Sequence, residues 1–338
     1  MMRSYLFGRK QRVRIGSEYS EWNDIQKGVP QGSVLGPLIF NIFINDIFYI
    51  IKNYSLYNYA DDNSLCYSNK DLETVRCVLQ EETLNIIDWF EANNVKANPS
   101  KFQCMTLGSN EKMELDINDK KIVSSSSVKI LGVTIDDKLN FNEHITYICK
   151  KAGRQLNVLR RLSYMLVEET RMTIYKSFIL SNFNFCPLIW HFCGILNSRK
   201  LEKIQERALR FVFIDYNSSY EKLLDKANLV TIYLLRLQKI AIEVYKATNG
   251  LGPKYIQELF TENSMEYDVR MNKLIQPKFK GITYGLNSIS YKGPKIWNGL
   301  PDEIRCAISL NEFKVLIKTW EGPRCGCTMC ERLLKQDV

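Results

Sequence analysis

The hydrophobic period of this chain changes once, near residue 140, and that change restricts the folds open to it. Beyond it, NEHITYICKKAGRQLNVLRRL (142–162), TRMTIYKSFILSNF (170–183), SRKLEKIQERALRFVF (198–213) and TIYLLRLQKIAIEVYKATNG (231–250) repeat apolar residues at helical spacing. Before it, strand-like and helical runs alternate. A mixture ordered this way excludes an all-α or all-β domain and predicts an α+β piece followed by a mainly helical part. The expected divisions are 1–137, 138–250 and an irregular, Gly/Pro-punctuated region 251–338.

Within the first part, YLFGRKQRVRI (5–15) alternates like a strand with a turn at Gly8. Three glycines and two prolines in GVPQGSVLGP (28–37) dictate a backbone-driven loop. LIFNIFINDIFYII (38–51) is apolar on most sides and reads as a largely buried helix. YNYADDNSLCYS (57–68) reads as strand, turn, strand, with Asp61 and Asp62 at the tip. In isolation Asp61-Asp62-Asn63 is an ordinary hairpin turn, because Asp and Asn tolerate positive φ. DLETVRCVLQEETLNIIDWFEAN (71–93) is an amphipathic helix. KFQCMTLG (101–108) and VKILGVTID (128–136) read as strands joined by a polar segment and the serine run Ser124–Ser127.

Charge is unevenly placed. The net +9 divides into −2 over residues 1–140 and +11 over 141–338, with +8 of it in 150–213. A near-neutral part beside a basic helical part suits a site next to a surface that holds a polyanion, though a solvated helix face gives the same count. No secretory signal is present near Met1, and the ten cysteines are scattered apart from Cys325, Cys327 and Cys330. Both facts point to an intracellular, reducing environment. Residues 177–196 lack Lys, Arg, Asp and Glu, but Asn182, Asn184, Pro187 and His191 argue for a buried helix pair rather than a membrane span. His144 and His191 read as structural.

In order, GVPQGSVLGPLIFNIFINDI (28–47), YADD (59–62), NNVKANPSKFQCM (93–105) and VKILGVTID (128–136) resemble the second half of a reverse transcriptase palm from LINE-like, non-LTR retrotransposons. The specific motifs cover about residues 5–160. Softer similarity to a thumb and C-terminal part, including GPKIWNGLPDEIR (293–305), reaches about 320. The resemblance implies RNA-directed DNA synthesis with an RNA template, a DNA primer and dNTP as partners, no membrane, and two Mg²⁺ about 3.5–4 Å apart. It implies Asp61 as the firmer metal ligand and Asp62 as the weaker one. Tyr59 and Ala60 would flank the primer end. Gly28, Gln31 and Gly32 would lie against template and nucleotide, where glycine lets backbone come close; a turn that merely starts a helix is the alternative. Lys101 would assist pyrophosphate departure, or is an ordinary surface lysine. Leu131, Gly132 and Val133 would grip the primer, or form a simple core hairpin. Arg9, Lys10 and Arg12 on the first strand, and Lys150, Lys151, Arg154, Arg160 and Arg161 on the first thumb helix, would follow nucleic-acid phosphates.

Two features stand apart. Complete family sites carry a third carboxylate on a strand ahead of the GVPQG loop, and Glu18, Glu21 and Asp24 do not have that context. The chain therefore reads as truncated at its N-terminal side and inactive by itself. At the other end, Cys325, Cys327 and Cys330 offer three thiolates at a spacing zinc can use, against the alternative of a tail with unliganded thiols; a fourth ligand is not evident.

Overall fold

The computed structural model describes residues 2–51, 55–261, 273–279, 284–323 and 325–326. The chain divides into two compact units, Met1–Ser125 and Ser126–Val338. The mixed helix and strand content is that of an α+β protein. The described strands pair only two by two, in five antiparallel ladders, so no larger sheet forms among the described residues.

The first unit begins with helix α1 (Met2–Leu6), then four two-residue strands: β1 (Lys10–Gln11), β2 (Arg14–Ile15), β3 (Glu18–Tyr19) and β4 (Asn23–Asp24). β1 pairs with β4 and β2 with β3. The single basic strand expected over 5–15 is thus a short helix and two fragments. Two-residue pairings leave most of the segment exposed, and Arg12 covers the rings of Tyr19 and Trp22 at 3.9 and 4.7 Å. After the glycine loop, α2 (Gly36–Ile44) runs into a 3₁₀ turn over Asn45–Tyr49. Only Gly36, Ile44 and Ile47 of this stretch are buried, whereas Leu38, Ile42, Phe43, Phe48 and Tyr49 are exposed. The expected largely buried helix is therefore largely exposed, with Phe43 reaching the Trp89 ring at 5.8 Å and Leu38, Ile42, Phe48 and Tyr49 left uncovered by the described residues. Hairpin β5 (Ser55–Tyr59) and β6 (Asp62–Cys66) follows as expected, then α3 (Leu72–Ala92).

Asp71 starts α3 by accepting hydrogen bonds from Thr74 N (2.9 Å) and Thr74 Oγ1 (2.6 Å). One stripe of α3 (Ile86, Trp89, Phe90) packs with Ile44, Ile47, Leu56 and Leu65. The other, through Ile87, meets Met113, Leu115 and Ile117. The last two belong to a hairpin that the sequence reading passed over as a polar segment: β7 (Glu114–Ile117) and β8 (Lys120–Val123). Its turn residues Asn118 and Asp119 both have positive φ (45° and 62°), the requirement of a type I′ hairpin. By contrast 101–108, expected as a strand, follows a 3₁₀ turn over Pro99–Lys101 and joins no ladder, although Cys104 O accepts a hydrogen bond from Ser125 N (2.8 Å).

The second unit opens with hairpin β9 (Ser127–Ile130) and β10 (Val133–Asp136), which leads into α4 (Asn142–Leu162). Asp136 governs this junction. Its buried carboxylate accepts hydrogen bonds from the backbone N–H groups of Lys138 (3.2 Å), Asn140 (3.1 Å) and Phe141 (2.6 Å), where Leu139 and Phe141 hold positive φ. Then come α5 (Glu168–Ile174), a π turn over Tyr175–Leu180, α6 (Ser181–Asn184) and α7 (Pro187–Trp190). From Ser177 this broken run is the charge-free stretch, read as a buried helix pair; Ile179, Phe183 and Trp190 are fully covered, whereas Phe178, Phe185 and Ile189 are exposed. α8 (Ile195–Phe213), α9 (Tyr220–Ala227) and α10 (Ile232–Thr248) complete the first layer. α11 (Lys254–Gln257), α12 (Ile289–Asn298), α13 (Asp302–Arg305) and α14 (Leu310–Leu316) pack on the far side of α10. There Tyr245 stacks on Phe313 at 4.4 Å.

Two arginines sit inside this unit. Arg171 donates to the carbonyls of Val212 (2.6 Å), Ser163 (2.7 Å) and Leu166 (2.8 Å). Arg236, fully buried, lies 5.1 Å from the Trp190 ring centroid and donates to Ser198 Oγ at 3.2 Å. Among the described residues no helix is long and apolar enough to cross a membrane.

Candidate active site

The two acids owe their position to hairpin register. Leu56 opposes Leu65 and Asn58 opposes Asn63, while Tyr57 opposes Ser64 and Tyr59 opposes Asp62. Side chains alternate across a strand, so the leucines pin one face to α2 and α3. The other face presents Tyr57, Tyr59 and Asp62, with Asp61 in the two-residue turn beside Ala60. Asn58 Nδ2 donates to Asn63 Oδ1 (2.7 Å) and to Ala60 O (3.0 Å), and Asn63 Nδ2 donates to Asp61 O (3.3 Å). These amides lock the tip from beneath.

Asp61 sits in the turn, but the positive φ expected of the acids does not fall on them. Positive φ falls on Ala60 (55°), the first turn residue, where a type II′ turn normally carries glycine. Strain of this kind persists where surrounding structure over-determines it. Asp61 and Asp62 are both exposed, and neither carboxylate has a hydrogen bond or ion pair with another described residue. Like charges on neighbouring residues repel, a cost that a cation beside them relieves.

The glycine loop is tied by a residue that the motif reading missed. Ser33 Oγ donates to Pro30 O (2.7 Å), accepts from Gly36 N (3.1 Å), and accepts from the Tyr5 hydroxyl. Gly28 and Gly32 have φ of 77° and 78° with open space where a Cβ would stand, so conformation rather than crowding requires glycine. Gln31 beside them is exposed. Arg9 donates to the Gly28 carbonyl, to Lys27 O at 3.4 Å and, through Nε, to Leu6 O at 3.0 Å. Lys10 lies 3.7 Å from Asp24. These N-terminal cations, with Arg12 on its rings, have partners inside the unit, and Arg9 holds the glycine loop in place.

Lys101 is exposed at the end of a 3₁₀ turn capped by Asn98. Its neighbour Phe102 packs in the α3–β7 cluster, whereas the Asp61 hairpin packs in the α2–α3 cluster. No hydrogen bond or ion pair among the described residues joins Lys101 to either carboxylate.

In the second unit Leu131 and Gly132 form the β9–β10 turn with φ of 46° and 88°, and Val133 is buried. A Cβ on Gly132 would come within 3.4 Å of the Phe185 ring. Lys150, Lys151, Arg154, Arg160 and Arg161 are all exposed on α4, opposite its buried face of Ile145, Ile148, Ala152, Leu156 and Leu159. Of the cysteine cluster, Cys325 is buried, while Cys327 and Cys330 lie outside the described residues.

A hard divalent cation fits the hairpin in kind: Mg²⁺ prefers one or two carboxylates and fills its remaining positions with water and phosphate oxygens. Among the described residues no third His, Cys, Asp or Glu joins the pair.

Comparison with known proteins bears on the same residues. Residues 1–135 match the family of reverse transcriptases (RNA-dependent DNA polymerases). Those matched residues carry the sequence of a reverse transcriptase domain of the LINE-like, non-LTR retrotransposon kind. It is 30% identical over 227 residues to a probable RNA-directed DNA polymerase from transposon BS of Drosophila melanogaster, covering 63% of this chain and 25% of the relative. It is 27% identical to a probable RNA-directed DNA polymerase from transposon X-element of the same fly, covering 63% and 24%. A retrovirus-related Pol polyprotein from type-1 retrotransposable element R1 of Bradysia coprophila aligns at 24% identity over 94% of this chain and 29% of its own length. The similarity to that relative thus extends through the helical unit. The chain spans about a quarter of the length of these relatives. No solved structure matches it.

Proposed function

We propose that this chain is part of an RNA-directed DNA polymerase, with residues 1–137 acting as palm, 138–250 as thumb and 251–338 as a C-terminal region. The observation that carries the reading is the hairpin tip. Two exposed carboxylates without internal partners, Asp61 and Asp62, stand on a turn anchored by Leu56 and Leu65. Their role is to hold divalent cations. Such cations, when bound, supply activation of the primer 3′-oxygen and neutralisation of charge on the departing pyrophosphate.

Tyr59 and Ala60 place backbone beside the primer end. Gly28, Gln31 and Gly32 let the loop approach the templating pair, on a scaffold fixed by Ser33 and Arg9. Lys101 gives a proton or a positive charge to the leaving pyrophosphate. The β9–β10 turn supports the primer strand, and the α4 cations follow phosphates of the RNA–DNA hybrid without reading sequence.

With two carboxylates and no third ligand among the described residues, the 338-residue chain by itself is expected to give negligible primer extension. The assay uses oligo(dT) on poly(rA) with Mg²⁺ or Mn²⁺; robust synthesis would overturn the incomplete-site reading. Joining a relative's upstream palm segment ahead of residue 1 is expected to raise extension, and Asp61→Asn to abolish the gain. The excess charge of +11 after residue 140 favours a second reading, a hybrid-binding protein without chemistry. Salt-sensitive hybrid binding that persists with no extension in either form would select it.

A further inference from the structure

The helical unit contains a cleft of about 300 Å³ formed by the C-terminal parts of α4 and α8 and the loop after α8. Asn157 and Arg160 line it from α4, Arg207, Arg210 and Phe211 from α8, and Tyr216 from the loop. Three guanidinium groups around one small opening are unusual to leave without an anion. The acid recorded as pairing with one of them is Glu206, 2.8 Å from Arg210 Nη2. Arg210 Nη1 is buried without a hydrogen-bond partner, so this side chain retains donor capacity that the fold does not use.

The aromatic side of the cleft is equally specific. Ile214 ends α8 in a left-handed conformation (φ 51°), and Asp215 Oδ1 accepts hydrogen bonds from Asn217 N (3.1 Å) and Ser218 N (2.9 Å). That turn fixes Tyr216 between them. Phe211 meets the Tyr216 ring edge-on at 6.2 Å, yet Tyr216 stays 50% exposed, and its hydroxyl is 3.5 Å from that of Tyr164, itself 72% exposed. A half-exposed ring fixed beside three guanidinium groups offers surface for stacking.

We infer that this cleft takes one nucleotide of a single-stranded nucleic acid, its phosphate on Arg160, Arg207 and Arg210 and its base against Tyr216. Guanidinium groups match phosphate geometry through paired donors. Stacking on an exposed ring needs a base out of its duplex, and cationic grooves with aromatic platforms are the general means of holding single strands. An acidic peptide would use the arginines but not the ring. The inference rests on the nucleic-acid reading above for the identity of the polyanion, and it places unpaired template beyond the hybrid on the helical unit.

Fluorescence anisotropy with a labelled oligouridylate dodecamer, and with an RNA–DNA hybrid of the same length, tests it on the full chain. Tyr216→Ala is expected to weaken the single strand about tenfold, leave the hybrid unchanged, and be rescued by Tyr216→Phe. Arg160→Ala and Arg207→Ala, both at exposed positions, are each expected to lower the salt slope for the single strand by about 0.7. Should Tyr216→Ala perturb folding by circular dichroism, Asn157→Trp fills the cleft from an exposed position and is expected to give the same selective loss. Equal losses for hybrid and single strand, or no loss with either variant, would overturn the inference. Selective single-strand loss in a chain whose Asp61 binds no Mn²⁺ would sink only the polymerase reading.

Discussion

The two units spend their apolar residues differently. In the helical unit one continuous cluster runs from Val133 through Phe183, Trp190 and Leu209 to Ile232, and a second wraps α10 with Trp297 and Phe313. In the first unit the buried sets are small, Ile44, Ile47 and Ile86 in one and Ile87, Met113, Leu115 and Ile117 in the other. Its strands pair only in twos, and Phe7, Ile15, Val34, Ile42 and Tyr49 face outward. Isolated two-stranded ladders are marginal without a further surface to pack on. The reverse transcriptase match thus falls mainly on the less self-sufficient unit, while the basic unit has its own core.

Hydrogen exchange offers the strongest challenge to that contrast. Amides of α4, α8 and α10 are expected to exchange at least a hundredfold more slowly than those of β5 and β6, since protection follows local opening energy; equal protection would erase the difference. Cavity-forming changes come next. Phe183→Ala, at a fully covered site, should cost about 3–5 kcal/mol in denaturant unfolding of the helical unit. Leu56→Ala, only half-buried, should cost about 1 kcal/mol. Asp136→Ala removes the acceptor for three backbone N–H groups and should cost about 2–3 kcal/mol.

Acid should then separate the units. Both histidines of the chain, His144 and His191, lie in the helical unit. Burial, with Lys129 nearby, holds His144 below the usual imidazole range. Burial, then Arg236 and Lys292, holds His191 well below it. Their folded values lie under the unfolded one, so the unfolded chain binds more protons and stability falls as pH drops below about 6.5. Melting of the helical unit should therefore decline between neutral pH and pH about 5, and His191→Phe should flatten the decline. The smallest effect is Asp61→Asn, expected to change stability by less than about 0.5 kcal/mol while removing Mn²⁺ binding read by electron paramagnetic resonance.

Much of this was legible in the residues. The Asp61 hairpin, the amphipathic α3 and the long helices α4, α8 and α10 follow from period and turn chemistry, which are local properties, whereas 128–136, read from its pattern as one strand, is the β9–β10 hairpin that the family resemblance implied. The misses have local causes as well. The Asn118-Asp119 turn lay inside a polar stretch whose alternation, ELDINDKKIV, is only four residues long on each side. The basic run 5–15 alternates like a strand but has no long partner, and 38–51 is apolar without being covered. Arg171 and Arg236 are charged residues whose burial depends on distant carbonyls, hydroxyls and rings, information that no window of sequence contains, whereas Asp136 is held by amides within five residues of it. At the site, the motif order identified Asp61 and Asp62, while the bracing of the glycine loop by Ser33 and Arg9 emerges only from contacts.

Ala60 holds a backbone geometry that glycine would adopt at no cost, so this corner is sprung rather than relaxed. Exchanging it for glycine should make the protein slightly sturdier and the aim of its two neighbouring acids less steady. A chain that keeps the methyl group there accepts a little fragility in return for a tip that does not swivel.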